Sequence, residues 1–112
     1  MVDRKNAEES CIEAEYYDTN KNKMVKQLVT IRNRAGLHTR PAASIVKTAA
    51  KYKSDFYIEK DGIEINGKSI IGVMTLAAEQ GATLTLRFEG VDEKDAAKEM
   101  VALFESGFGE PM

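Results

Sequence analysis

Apolar and polar residues alternate in four stretches of the chain, and this period of two predicts strands that bury one face of a sheet. The apolar positions are Val25, Val29 and Ile31; Phe56 and Ile58; Ile63 and Ile65; and Leu84, Leu86 and Phe88. The dipeptide Asp61-Gly62 separates the second stretch from the third. It favours a type I′ hairpin turn because both positions tolerate a positive φ angle. We therefore expect these two strands to pair antiparallel.

Three other stretches repeat their apolar residues every three or four positions, which predicts helices with one buried face. The first follows the turn-rich segment 33–36, and the other two begin at the N-cap residues Ser69 and Asp92. The second helix is short and holds more apolar residues than it can bury, so some must stay exposed. The inward residues predicted for the first and third helices are Ala42, Ile45, Val46, Ala49 and Tyr52, and Ala96, Ala97, Met100, Val101 and Phe104.

The predicted element order from Met24 onward is β-α-β-β-α-β-α. A chain of 112 residues is long enough for one domain and short of two. Strands that are half polar and helices that are amphipathic indicate an α+β fold, in which helices cover one face of a four-stranded antiparallel sheet and water covers the other. We place this domain at residues 24–112.

Residues 1–23 show no sustained periodicity and end in the polar run 18–23. They hold six acidic and four basic residues, whereas residues 24–112 hold twelve of each. This composition predicts a flexible, acidic N-terminal extension. A short helix over Ala7 to Tyr17 is the alternative, because Ile12, Tyr16 and Tyr17 fall at helical spacing.

The overall composition argues against several classes of function. A net charge of −2 lacks the broad basic field that nucleic-acid binding requires. The polar opening Val2 to Glu9 does not resemble a signal peptide, and no apolar run is long enough for membrane insertion, so we predict a cytoplasmic protein. Cys11 has no Cys or His close in sequence, so we expect no metal site, and nothing implies a cofactor.

The candidate chemistry lies at the start of the first helix, in residues 36–42 (GLHTRPA). Pro41 fits the first helical turn, where it loses no hydrogen bond, and this places His38 at or near the N-cap. Free amides and the positive helix end form an anion site there, to which Arg40 adds a charge. A neutral imidazole is a nucleophile near neutral pH. Taken alone, a histidine at a helix start is more often a solvated cap or surface residue than a nucleophile.

Residues 36–42 resemble the active-site signature of the HPr family of the bacterial phosphoenolpyruvate-dependent phosphotransferase system. Residues 68–74 (KSIIGVM) resemble that family's second signature, and the likeness extends over about residues 24–109. The resemblance implies an open-faced β-sandwich whose His38 is phosphorylated on Nδ1 by enzyme I. Thr39 and Arg40 would then lie at the phosphoryl group, which passes to a downstream sugar-specific or regulatory phosphotransferase component.

The resemblance also implies that Ser69 is phosphorylated by an HPr kinase/phosphorylase. Its alternative role is that of a plain N-cap. A phosphate on Ser69 would place nearly two negative charges among Ile70, Ile71 and Met74, which we interpret as the docking surface for protein partners. Phosphorylation would therefore weaken the docking of enzyme I. We expect a monomer that binds and releases its partners.

Two alternatives stay open. The C-terminal segment 103–109 is similar to endings of nitrogen-related HPr paralogues and of regulatory HPr-like proteins, so a regulatory paralogue that acts mainly by protein binding is the first. The second is a small-ligand or RNA-binding β-α-β-β-α-β domain, but the strands lack the aromatic stacking pair that RNA platforms use.

Overall fold

The computed structural model describes residues 15–17 and 23–112. Within these residues, each helix is too short or too polar to span a membrane. The strands are β1 (Glu15–Tyr17), β2 (Lys23–Thr30), β3 (Asp55–Lys60), β4 (Ile63–Asn66) and β5 (Thr83–Glu89). The helices are α1 (Thr39–Ala49), α2 (Ile70–Thr75) and α3 (Glu93–Glu105), and a 3₁₀ turn, Gly107–Gly109, follows α3.

The strands form one antiparallel sheet in the order β1-β2-β5-β3-β4, and the core lies between one face of this sheet and the helices. The register sets apolar partners side by side on that face, as in Val29 opposite Leu84. The rings of Phe56 and Phe88 stack there with centroids 4.7 Å apart. On the opposite face the side chain of Leu28 is 64% exposed. The predicted arrangement, with four strands from residue 24 onward and three helices on one face, is confirmed.

The predicted hairpin is also confirmed. Asp61 has a φ angle of 52° and Gly62 one of 83°, the two positive values that a type I′ turn requires. The turn joins β3 to β4 in antiparallel register, with Lys60 opposite Ile63. The dipeptide Asp61-Gly62 therefore determines how β3 connects to β4.

Strand β1 is the main departure from the sequence prediction. It lies in the segment predicted to be flexible or helical, and it pairs antiparallel with β2 through Glu15 opposite Val25. The alternative prediction, a short helix over Ala7 to Tyr17, is therefore wrong for Glu15–Tyr17. The physical reason is that the edge of β2 offers unpaired backbone N–H and C=O groups, which an added strand satisfies. The rest of the proposed extension, 1–14 and 18–22, lies outside the described residues.

Asp92 occupies the N-cap position of α3 as predicted, but its side chain does not cap the helix. Its backbone, with φ −109° and ψ 26°, lacks the extended conformation that aims a capping side chain at its own helix. The carboxylate instead accepts hydrogen bonds from the amides of Lys53 and Ser54, at 2.8 and 2.9 Å, and from the hydroxyl of Ser54. Asp92 thus ties the loop before β3 to the start of α3.

These hydrogen bonds, above all the one from the Ser54 hydroxyl, hold the pKa of the Asp92 carboxyl below its usual range. A lowered pKa in the folded state stabilises the protein above the usual value, about pH 4, and this stabilisation is lost as pH falls through the lowered pKa. We expect Asp92→Asn to unfold at lower urea concentration at neutral pH and to lose less stability on acidification. Urea titrations at neutral and acidic pH test this. The control is Asp61→Asn in the exposed hairpin turn, and equal pH profiles for both variants would contradict the assignment.

Candidate functional site

His38 is the N-cap residue of α1, as the sequence predicts. Its backbone is extended, with φ −97° and ψ −167°, and its carbonyl accepts the first helical hydrogen bond from the amide of Ala42 at 3.0 Å. Pro41 lies buried in the first turn, where no intrahelical hydrogen bond is lost. The imidazole does not cap the helix, and 44% of the side chain is exposed to solvent. The ring is therefore free to meet a partner protein.

The backbone amides at the start of α1 suit an anion. Those of Thr39 and Arg40 precede the first helical hydrogen bond, so neither has an acceptor within α1, and both lie at the positive end of the helix dipole. The side chains of both residues are exposed. The structure thus brings Thr39 and Arg40 to the helix turn whose N-cap residue is His38.

Gly36 shapes the loop that leads into His38. Its φ angle is +75°, and a Cβ atom at this position would lie 2.6 Å from the carbonyl oxygen of Ala78. The next residue, Leu37, donates its amide to that same oxygen at 2.9 Å. A glycine is therefore required here for two reasons, the positive φ angle and this close contact with the segment that follows α2.

The sequence interpretation missed a buried carboxylate at the ring. Oε1 of Glu110 lies 3.0 Å from Nε2 of His38, and only 7% of the Glu110 side chain is exposed. The amide nitrogen of Asn33, a fully buried residue, donates to the same Oε1 at 3.0 Å and to the carbonyl of Gly36 at 2.8 Å. The glycines at 107 and 109 marked a turn after α3, but nothing local showed that this turn returns to His38.

The electrostatics of this contact define the state of the carboxyl group. The hydrogen bond from His38 is the main cause that holds the pKa of Glu110 below its usual range, and the hydrogen bond from Asn33 and the charge of Arg40 act in the same direction. An ionised carboxylate can only accept hydrogen bonds, so Nε2 must be the nitrogen that carries hydrogen. In a neutral ring the lone pair then lies on Nδ1.

Ser69 caps α2. Its hydroxyl oxygen accepts a hydrogen bond from the amide of Gly72 at 3.1 Å, and the residue is half-buried. Helices α2 and α1 pack against each other, so Ser69 and His38 lie at the starts of neighbouring helices. The predicted cap is confirmed, whereas the phosphorylation of Ser69 stays a prediction.

Comparison with known proteins identifies the family. The family model described as "PTS HPr component phosphorylation site" matches residues 25–106. The chain belongs to the HPr phosphocarrier family.

Proteins named HPr and proteins named Crh are both similar to this chain. The phosphocarrier protein HPr of Treponema pallidum is 45% identical over 87 residues, which cover 78% of this chain and 99% of the relative. The HPr-like protein Crh of Halalkalibacterium halodurans is 44% identical over 82 residues, or 73% and 98% of the two chains. The crystal structure of HPr-C-His from Thermoanaerobacter tengcongensis superposes with a TM-score of 0.75 at 46% identity, covering 78% of this chain and 98% of that one.

The proposed docking surface of this HPr-family chain is exposed, as expected. Ile71 is 75% exposed, Ile70 and Met74 are each 39% exposed, and only Val73 of α2 is fully buried. We call Ile70, Ile71 and Met74 the apolar patch. The segment that leaves α2 contacts the loop that carries His38, because Ala78 meets Gly36 and Leu37 there.

Proposed function

We propose that this HPr-family chain carries a phosphoryl group on Nδ1 of His38. It receives the group from phosphorylated enzyme I and passes it to a downstream sugar-specific or regulatory component of the phosphotransferase system. The observation that carries the proposal is which nitrogen of the His38 imidazole carries hydrogen and which is left with a lone pair. Glu110 holds Nε2 at 3.0 Å, and Nδ1 is the nitrogen left for reaction, in the residue that directly precedes the free amides of Thr39 and Arg40.

The transfer needs little covalent chemistry from the protein. The lone pair on Nδ1 attacks the phosphorus, an N–P bond forms, and the N–P bond of the donor phosphohistidine breaks with its electron pair returning to the donor ring. The transferring group spreads negative charge over its oxygens. The two free amides stabilise that charge, because the helix backbone holds them in place before the reaction, and the guanidinium of Arg40 adds a positive charge at the same helix turn.

A phosphoryl carrier must both accept and return the phosphoryl group. Measuring transfer in both directions therefore tests the proposal. We expect the chain to gain one phosphoryl group from enzyme I and labelled phosphoenolpyruvate. After isolation it should transfer that group back to unphosphorylated enzyme I when pyruvate is present. A chain that takes no label, or that takes label and cannot return it, would not be a carrier.

We also propose that phosphorylation of Ser69 regulates this transfer. The added phosphate would bring nearly two negative charges to the edge of the apolar patch, whose burial against enzyme I would then require their desolvation. An HPr kinase/phosphorylase is the expected modifying enzyme. Acid-stable phosphate transferred from ATP to the wild-type chain, and absent from Ser69→Asn, would support this.

The charge alone should reproduce part of the effect. We expect Ser69→Asp to take up the phosphoryl group from enzyme I about 10- to 100-fold more slowly, because docking has to desolvate the added carboxylate at a cost of roughly 1.4–2.8 kcal/mol. Ser69→Asn is the matched control, because asparagine caps a helix as well as aspartate and carries no charge. Initial rates of labelling measure both. Equal losses in the two variants would show that the cap matters and the charge does not.

A specific observation also favours the alternative function, a regulatory HPr paralogue that acts mainly by protein binding. A Crh protein and an HPr protein match this chain almost equally well, at 44% and 45% identity. A family member with glutamine at the active position would be confined to regulation, whereas this chain has His38. Failure of phosphoryl uptake combined with acid-stable phosphorylation of Ser69 would favour the regulatory role.

The expected monomer, the cytoplasmic location and the division of the chain into an acidic N-terminal extension, 1–23, and a domain, 24–112, stay proposals. Solved structures of an HPr from Thermoanaerobacter tengcongensis and of Crh from Bacillus subtilis are described as dimers. Light scattering on the purified chain measures its own oligomeric state directly.

A further inference from the structure

We propose that Glu110 and Asn33 are positioning residues that keep one proton on Nε2 of His38 throughout phosphoryl uptake and release. Glu110 acts on the ring, and Asn33 acts on Glu110. This inference rests on the proposed function, because it assigns a role to residues around the same histidine.

The hydrogen bonds define a chain of contacts from the loop to the ring. Two donors, Nε2 of His38 and the amide nitrogen of Asn33, converge at 3.0 Å each on the same carboxylate oxygen of Glu110. Asn33 is itself fixed, since it is fully buried and also donates to the carbonyl of Gly36 at 2.8 Å. The carboxylate therefore has one position, on the Nε2 side of the ring.

The C-terminal segment is built to deliver Glu110 to that position. Phe108 is held in the left-handed region, with φ 59°, which is unfavourable for a bulky residue and persists only where packing enforces it. Its ring is buried edge-on against Phe104, with centroids 5.0 Å apart. Beyond Glu110, the carbonyl of Pro111 accepts the amide of Arg34 at 2.9 Å. Contacts on both sides thus anchor the turn that carries the carboxylate.

The proton on Nε2 decides the charge of the ring during transfer. When neutral His38 attacks through Nδ1, the new N–P bond leaves the ring cationic, with its proton still on Nε2. A carboxylate on that proton makes a charge-assisted hydrogen bond, which is stronger than a neutral one. The cation formed on uptake is therefore stabilised where it arises.

The same proton makes release easy. A ring that keeps its Nε2 proton leaves the phosphorus as a neutral imidazole, whereas a ring that has lost it must leave as an anion. With Glu110 in place no proton has to enter or leave in either direction. The carboxylate also lies at the nitrogen opposite Nδ1, so its charge is kept away from the phosphoryl oxygens beside Thr39 and Arg40.

The variant Glu110→Gln tests this assignment, because it keeps the shape of the side chain and removes its charge. We expect uptake from enzyme I and return to enzyme I to slow by about tenfold each, with a thermal unfolding midpoint close to that of the wild type. Glu110→Asp should recover part of both rates. Glu105→Gln, at the exposed end of α3, is the matched control and should leave both rates unchanged.

A second measurement does not depend on enzyme I. Phosphoramidate, a small-molecule phosphoryl donor, is used to load His38, and nitrogen-15 NMR then gives the fraction of phosphorylated rings that keep the Nε2 proton at mildly alkaline pH. We expect a severalfold larger fraction in the wild type than in Glu110→Gln. Equal fractions would overturn the inference, as would wild-type transfer rates in the variant. A wild-type chain that takes no label from enzyme I but shows the expected fractions would remove the proposed function and leave the positioning role.

Discussion

His38→Ala is expected to take up no phosphoryl group from enzyme I and phosphoenolpyruvate. His38 is the only histidine of the chain, so the substitution removes the only imidazole that can form the reactive N–P bond. The hydroxyl of Thr39 lies next in the chain, but an unactivated hydroxyl is a weak nucleophile. Intact mass and label incorporation measure the loss. A circular dichroism spectrum like that of the wild type would show that the fold survives, as expected for a side chain that is 44% exposed.

His38→Gln provides the matched control for the buried carboxylate. Alanine removes one of the two hydrogen-bond donors that converge on Glu110, and the loss of a hydrogen bond to a carboxylate should lower the stability of the fold. Glutamine can still donate through its amide, so it should be the more stable of the two variants and equally inactive. Label on either variant at the wild-type level would place the phosphoryl group on another residue.

Gly36→Ala is expected to cause the largest loss of stability among the substitutions considered around the site. The left-handed conformation costs an alanine roughly 1–2 kcal/mol, and the overlap with the carbonyl of Ala78 adds about 1–3 kcal/mol. For a domain of this size the sum corresponds to a fall in the thermal unfolding midpoint of roughly 10–20 °C. Phosphoryl uptake should also slow, because any relief of the overlap moves the loop that leads into His38.

Gly81→Ala separates the two causes of that loss. Gly81 has a similar positive φ angle, +92°, but a Cβ atom there would have no neighbour within 4 Å. It should therefore show only the conformational part, roughly 1–2 kcal/mol, with normal phosphoryl uptake. Calorimetry on both variants makes the comparison. Equal losses would mean that the contact between Gly36 and Ala78 does not shape the site.

The parts of the fold that could be predicted are those that neighbouring residues determine. Asp61-Gly62 specifies its turn by two backbone angles, and the alternation of Leu84, Leu86 and Phe88 specifies which face of β5 is buried. His38 could be placed for the same reason. Pro41 and the apolar period that follows it mark the first turn of α1 within a few residues of the ring.

The parts that could not be predicted depend on contacts between residues distant in sequence. Asp92 looks like a cap, but its carboxylate is taken by amides 38 and 39 residues away. Strand β1 forms because β2 offers an open edge, which the polar sequence before it does not show. Glu110 and Asn33 are 77 residues apart and meet at His38 only because the turn after α3 folds back. The reactive nitrogen could be guessed from the family, but the groups that select it could not.

The most direct test of the account is phosphorus and nitrogen-15 NMR on the chain after phosphorylation by enzyme I, with nitrogen-15 in the histidine ring. We predict one phosphorus signal, coupled to Nδ1 of His38, in a ring whose Nε2 still carries its proton. Phosphorus coupled to Nε2, or phosphate on any other residue, would contradict the account.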